Sequence, residues 1–148
     1  MGEARRYIDA YFARYPGIRD YMDRTRDEAR ANGYVTTPFG RRCYVPGIRE
    51  KNGARRGYAE RQAINAPLQG GAADIIKRAM VRLSRELPRS GLEALLLLQV
   101  HDELLFEVRE PDAQALAELA RREMEQAAVI SVPLVVETGI GLNWAQAH

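Results

Sequence analysis

Apolar side chains recur at helical spacing along much of the chain. The segments that predict amphipathic helices are 3–15, 16–32, 58–65, 69–87 and 111–128. Pro16 suits the first turn of a helix, and Gly33 supplies the left-handed residue that often follows a helix end. Pro67 lacks a backbone N–H, so we expect a break between the third and fourth helices near this residue.

Shorter apolar runs predict strands, at 34–37, 42–45, 95–100, 104–108 and 132–140. Pro38-Phe39-Gly40 is a turn signal between the first two strands. Residues 47–57 contain three glycines and few apolar side chains, which predicts a flexible basic loop.

Composition narrows the class of protein. The chain has 148 residues, of which 46% are hydrophobic and 28% charged, as in ordinary globular domains. The longest apolar run, residues 94–98, has the length of a strand, and the N-terminus has no apolar stretch, so we expect no membrane span and no signal peptide. With Cys43 alone and two histidines, any metal would be held by carboxylates, and a cytoplasmic protein fits best.

Charge is distributed unevenly along the chain. The net charge is +8 over residues 1–101 and −6 over residues 102–148. Residues 41–61 carry seven basic side chains and two acidic ones. A concentrated basic segment suits a polyanion such as a nucleic-acid backbone, and the alternative is a solvated basic loop.

Three short motifs carry candidate chemistry. His101-Asp102-Glu103 joins two predicted strands without the usual Gly or Asn, and a divalent cation such as Mg²⁺ would relieve repulsion between its adjacent carboxylates. The alternative is an exposed polar turn. Arg61, Asn65 and Gln69 are spaced by four residues and would share one face of a continuous helix, beside the low-bulk run Gly70-Gly71-Ala72-Ala73.

The third motif is Thr37-Pro38-Phe39-Gly40-Arg41-Arg42, in which a glycine turn precedes two guanidinium groups. Backbone N–H groups and arginines together could clamp a phosphate. The alternative for this segment is a solvated basic hairpin. For Arg61, Asn65 and Gln69, the alternative is the start of a helix with ordinary polar residues.

Taken together, the motifs resemble those of bacterial family A DNA polymerases, the DNA polymerase I type. The segments GYVTTPFGRRCYVP, ERQAINAPLQGGAADIIKRAM, LLLQVHDELLFEV and GIGLNWAQAH occur in the order and at the separations typical of that family. The resemblance covers essentially the whole chain. It implies an α+β part of the right-hand polymerase fold, in which the hairpin around His101-Asp102-Glu103 and the strand over residues 132–140 form a small antiparallel palm sheet with several helices packed on it. Residues 1–57 would belong to the fingers, and residues 58–148 would form the palm.

The resemblance also implies roles for individual residues. Asp102 would be one of two carboxylates that bind two catalytic Mg²⁺ ions, Glu103 would be an auxiliary acidic residue beside it, and His101 would lie against the primer terminus. The residues expected to contact template–primer DNA are Arg41, Arg42, Arg61, Asn65, Gln69 and Gln99. The incoming dNTP would be the second substrate.

Two motifs of that family are missing from the chain: the Asp-Tyr-Ser-Gln-Ile-Glu strand, with its second carboxylate, and the helix that grips the incoming nucleotide. We therefore expect the chain to be part of a longer polymerase, to require that upstream segment as a partner, and to be inactive alone. It could then be a DNA-binding module or a structural remnant. An exposed sheet edge would also favour self-association.

Overall fold

The computed structural model describes residues 2–147, which form five α-helices and two antiparallel strand pairs. The helices are α1 (Gly2–Arg14), α2 (Pro16–Asn32), α3 (Gly53–Ser90), α4 (Ala113–Glu125) and α5 (Trp144–Ala147). The strands are β1 (Tyr34–Thr36), β2 (Arg42–Tyr44), β3 (Ala94–Val100) and β4 (Glu103–Val108). Two compact units meet in sequence within α3, where the first ends at Gly71. The predicted boundary at residue 57 concerns subdomains of a larger polymerase and stays a prediction.

The first unit is built around a small core in which α2, β1 and the start of α3 meet. Its buried members are Ala29, Val35, Val45, Ile48, Ala59 and Ala63. The β1–β2 hairpin pairs Val35 with Cys43, whose side chain also packs against this core. Alanines on α2 and α3 allow the elements to approach closely, and burial of these apolar groups stabilises the unit.

The end of α2 is closed as the sequence predicts. Gly33 has φ 80°, and its N–H donates to the carbonyl of Ala29. Arg49 donates to the carbonyls of Arg30 and Ala31, at 2.7 and 2.6 Å. These contacts satisfy carbonyls that would otherwise lack partners at a helix C-terminus.

The predicted break near Pro67 is wrong, because α3 continues through it. A proline inside a helix removes one hydrogen bond and typically costs about 3 kcal/mol. Here Pro67 lies on the buried face of the helix with Ala63 and Ala59, so packing of this face offsets the lost bond. The Tyr21 hydroxyl also donates to the carbonyl of Ile64, at 2.9 Å, and ties the same stretch of helix to α2.

The prediction of a flexible loop over residues 47–57 is also wrong. Ile48 is buried in the first core, and α3 already begins at Gly53. The side chain of Asn52 accepts hydrogen bonds from the backbone N–H groups of Ala54 and Arg55, at 3.0 and 3.1 Å. This is the geometry of a helix N-cap, which fixes the start of α3 within the supposed loop.

The second unit packs the β3–β4 hairpin and α4 against the last part of α3. Its cluster consists of Leu87, Leu116 and Leu119, with Leu92, Ala94, Phe106 and Val108 against it. Glu123 on α4 is buried, and its carboxylate binds Arg82 of α3 at 2.8 Å and Arg122 at 3.1 Å. Pairing with two guanidinium groups satisfies a charge that would be costly to bury alone.

The predicted C-terminal strand over residues 132–140 is wrong within the part of the chain that the structure describes, although the α+β class is confirmed. A strand requires a neighbour with which to exchange backbone hydrogen bonds. Here the backbone N–H of Val136 donates to the carboxylate of Glu125 at 3.3 Å, and Val132 and Val135 are exposed. The apolar content of the segment predicted a strand, but the described residues place no partner strand beside it.

Candidate functional site

The first part of the candidate site is a polar stripe on α3, formed by Arg61, Asn65 and Gln69. All three side chains are exposed, whereas Ala63 and Pro67, displaced by two positions, are buried. Two residues correspond to about 200° around a helix, so the stripe lies opposite the core-facing side. The spacing of Arg61, Asn65 and Gln69 predicts a shared face only if the helix is continuous, and α3 is continuous across all three residues.

An aromatic residue that the sequence analysis missed lies at the N-terminal end of this polar stripe. Tyr58 is 58% exposed, and the guanidinium carbon of Arg61 lies 6.0 Å from its ring centroid. The amide of Gln62 donates to the Tyr58 hydroxyl at 3.1 Å. The available signal was the helical spacing of Tyr58, Gln62 and Arg61, since aromatic and basic side chains together are typical of nucleic-acid contacts.

The second part is the turn between β1 and β2. The buried hydroxyl of Thr37 accepts hydrogen bonds from the backbone N–H groups of Phe39 and Arg41, at 3.3 and 3.2 Å. The Arg41 guanidinium donates to the carbonyl of Gly70 on α3, at 2.7 Å. The guanidinium of Arg42 lies over the ring of Tyr34, 4.9 Å from its centroid. The structure thus anchors Arg41 to the helix of the polar stripe.

Other basic residues of the 41–61 segment have structural partners. Arg49 caps α2, and Arg56 donates to the carbonyl of Glu50 at 3.1 Å. Arg30 of α2 binds Glu60 at 2.7 Å, and this hydrogen bond raises the pKa of Arg30. The net charge of residues 41–61 therefore overstates the number of basic side chains available to bind an external polyanion.

A separate candidate site is the turn joining β3 and β4, in the second unit. Val100 pairs with Glu103, so the turn itself consists of His101 and Asp102, both exposed. His101 has φ 52°, which non-glycine residues seldom adopt, and the side-chain amide of Gln99 donates to its carbonyl. The structure brings Gln99, His101, Asp102 and Glu103 together at the end of one hairpin.

The acidic turn fits Mg²⁺ only as part of a larger ligand set. A hard divalent ion takes oxygen ligands and usually binds one or two protein carboxylates together with water and substrate phosphates. Asp102 is exposed and offers such a carboxylate, with Glu103 adjacent to it. Within residues 2–147, however, no group of three or more acidic, histidine or cysteine side chains is placed to hold a metal.

Comparison with known proteins agrees with the motifs. The model of DNA polymerase family A matches residues 1–146. The chain is 58% identical over 146 residues to DNA polymerase I of Pseudomonas aeruginosa, covering 99% of this chain and 16% of that protein. It is 50% identical over 142 residues to DNA polymerase I of Deinococcus radiodurans, covering 96% of this chain and 15% of that protein.

A solved structure shares the fold. The POL domain of Pol1 from M. smegmatis, in complex with DNA primer-template and dNTP, matches with a TM-score of 0.95 and 46% identity, over 99% of this chain and 26% of that one. The chain thus spans a minor part of the proteins it matches. With a family model matching nearly its whole length and curated relatives of this similarity, the chain belongs to DNA polymerase family A.

Proposed function

We propose that this chain is the part of a DNA-directed DNA polymerase that holds primer–template DNA and contributes a metal-binding carboxylate to dNTP addition at a primer 3′ end. The observation that carries the proposal is the match to the POL domain of Pol1, which was solved with DNA primer-template and dNTP. The polymerase family model supports it over residues 1–146.

DNA would be held first by the polar stripe. Arg61, Asn65 and Gln69 offer hydrogen-bond donors on one exposed helix face. Acceptors in the minor groove are nearly the same for every base pair, so donors directed there can hold any sequence. Arg41 and Arg42 would bind backbone phosphates from the adjoining turn, and Gln99 would contribute from the end of β3.

The acidic turn would supply the metal-binding function. Asp102 would bind Mg²⁺, with Glu103 as an auxiliary acid and His101 beside the primer terminus. Such ions, when bound, activate the primer hydroxyl and neutralise charge on the phosphates during transfer. The remaining ligands, including a second carboxylate for a two-ion site, would come from other parts of the polymerase.

Two finer statements belong to the same proposal. No helix among residues 2–147 is long and apolar enough to cross a membrane; a bacterial polymerase would act on DNA in the cytoplasm. Self-association is supported by the β3–β4 hairpin, which exposes Leu95 by 64% and Leu97 by 49%. An exposed apolar hairpin with open edges favours pairing with another chain.

Primer extension tests the proposal in two arms. The chain alone, with labelled primer–template, four dNTPs and Mg²⁺, should give no extension but should bind the DNA with a steep salt dependence. The Pseudomonas aeruginosa relative, with its matching 146 residues exchanged for this chain, should extend the primer. A folded chimera that binds DNA without extending it would contradict the proposed polymerase function.

Binding by the isolated chain separates the alternatives. DNA binding by the isolated chain, with no primer extension by either the chain or the chimera, favours a DNA-binding module. Absence of both activities in the isolated chain and in the chimera favours a structural remnant.

A further inference from the structure

A pair of glycines on α3 supports the turn that carries the basic residues. A Cβ atom built on Gly70 would lie 2.8 Å from Thr37 Cγ2 and 2.9 Å from Arg41 Nη2. A Cβ on Gly71 would lie 3.2 Å from Pro38 Cδ. A side chain at Gly70 would therefore overlap the methyl group of Thr37, and one at Gly71 would be tight against Pro38, so both glycines favour this close approach of the β1–β2 turn to α3. We call this contact of Gly70–Gly71 with residues 37–41 the glycine seat.

Hydrogen bonds fix the turn on the glycine seat. Arg41 donates to the carbonyl of Gly70, which directly follows Gln69, the last residue of the polar stripe. The hydroxyl of Thr37, buried beneath the turn, accepts the N–H of Arg41, and the Thr37 N–H donates to the Arg41 carbonyl at 2.9 Å. The chain segment bearing Arg41 is therefore held against the helix by side-chain and backbone contacts together.

We infer that Gly70 is a positioning residue for DNA binding, which holds the phosphate-binding turn in fixed register with the polar stripe. The inference rests on the proposed function, because it requires that both surfaces contact one duplex. Gly70 itself offers no side chain to DNA. Its effect comes through Arg41 and Arg42, and pre-set geometry raises affinity because less conformational freedom is lost on binding.

Gly70→Ala tests the inference, with Gly53→Ala as the matched control. Both glycines lie within α3, and alanine raises helix propensity at each. The Cβ added at Gly53 would meet its nearest atom, Nη2 of Arg56, at 4.0 Å, an ordinary contact. We expect Gly70→Ala to weaken duplex binding about tenfold and to lower the salt slope by about one phosphate contact, whereas Gly53→Ala leaves both unchanged.

Rescue distinguishes positioning from general damage. Thr37→Ser removes the methyl group that the new Cβ would meet but keeps the hydroxyl that holds the turn. Combined with Gly70→Ala, it should restore most of the affinity and the salt slope. Gly71→Ala, with its looser contact, should cost about threefold and serves if Gly70→Ala fails to fold by circular dichroism.

Fluorescence anisotropy with a labelled primer–template duplex at several salt concentrations gives both quantities. The variants are compared in the isolated chain and in the chimera with the Pseudomonas aeruginosa relative. If neither protein binds DNA, the proposed function fails, and the inference fails with it. If either binds, and its folded Gly70→Ala or Gly71→Ala variant binds with the same affinity and salt slope, the inference fails while the proposed function stands. Loss of affinity without a change in slope, or without rescue by Thr37→Ser, would likewise overturn the positioning role.

Discussion

The two candidate surfaces differ in how far this chain supports them by itself. The polar stripe and the β1–β2 turn lie over a core with fully buried Val35 and Ala63, and hydrogen bonds join the turn to α3. The acidic turn ends a hairpin in which Leu95, Leu97 and Leu98 are exposed. The proposed DNA-holding surface is thus supported by contacts within this chain, whereas the proposed metal-binding turn would depend on residues from other parts of a polymerase.

The largest expected effect is on primer extension, when the acidic turn is combined with the metal ligands that the relative would supply. In the chimera with the Pseudomonas aeruginosa relative, Asp102→Asn should lower the rate of primer extension by about a thousandfold or more, because a cooperating metal ligand is lost. Glu107→Gln, an equivalent change on the same hairpin, should leave the rate within about twofold. DNA affinity should be unchanged in both. A fully active Asp102→Asn chimera would remove the assigned metal role.

The contrast in burial predicts unequal losses of stability. Val35→Ala removes two buried methyl groups from the first core and should lower the free energy of unfolding by about 2 kcal/mol. Leu95→Ala, a larger truncation on the exposed hairpin, should change it by less than about 0.5 kcal/mol. Urea unfolding followed by circular dichroism measures both. Equal losses would show that the hairpin leucines are covered in solution.

A half-buried hydroxyl, that of Tyr21, provides a further test of the first unit. Tyr21→Phe deletes the hydrogen bond to the Ile64 carbonyl and should cost about 1 kcal/mol of unfolding free energy. Burial, as the main cause, raises the pKa of Tyr21, opposed by its hydrogen bond with Thr25 and aided by nearby Glu28. A raised pKa means that this stabilisation is complete below about pH 10, the ordinary tyrosine value, and is lost as pH rises through the higher folded value.

Alkaline unfolding provides the control for Tyr21. The difference in stability between the unaltered chain and Tyr21→Phe should be constant from neutral pH to about pH 9 and shrink above about pH 10. Tyr7→Phe, at an exposed position on α1, should show no such difference. A difference that grew with pH would contradict the assigned direction.

The smallest expected effect concerns self-association. Leu97→Lys places a charge on the exposed hairpin and should lower any dimer fraction in sedimentation velocity at high protein concentration, by about threefold in apparent association constant. Val81→Lys, on an exposed position of α3, is the control. A monomer at all concentrations for the unaltered chain would contradict association through the hairpin.

Local patterns predicted most of the elements but not their long-range contacts. The two strands that flank His101 and Asp102 and the helix end at Gly33 are set by neighbouring residues, and both predictions are confirmed. Continuity through Pro67 depends on which face of α3 meets the core, a fact that its local sequence does not contain. The apolar residues 132–140 likewise indicate a strand only if a neighbouring strand is available.

The candidate site follows the same division. The grouping of Arg61, Asn65 and Gln69 follows from spacing once the helix is continuous, and the acidic turn follows from two flanking apolar runs. The bond from Arg41 to Gly70 joins residues 29 positions apart. The sequence near either residue does not predict a contact with the other. The low bulk of the Gly-Gly-Ala-Ala run predicted the close approach of another segment, but not which segment it would be. The roles of all these residues in DNA and metal binding stay predictions.

The backbone of His101 has a consequence for mutational scanning. At φ 52°, asparagine, aspartate and glycine are tolerated far better than alanine or β-branched residues. Low tolerance to substitution at His101 would thus have two causes, a requirement for the imidazole ring and a requirement for this backbone conformation. His101→Asn isolates the requirement for the ring, because asparagine tolerates the same backbone conformation but has no imidazole. His101→Ala would change the ring and the backbone preference together.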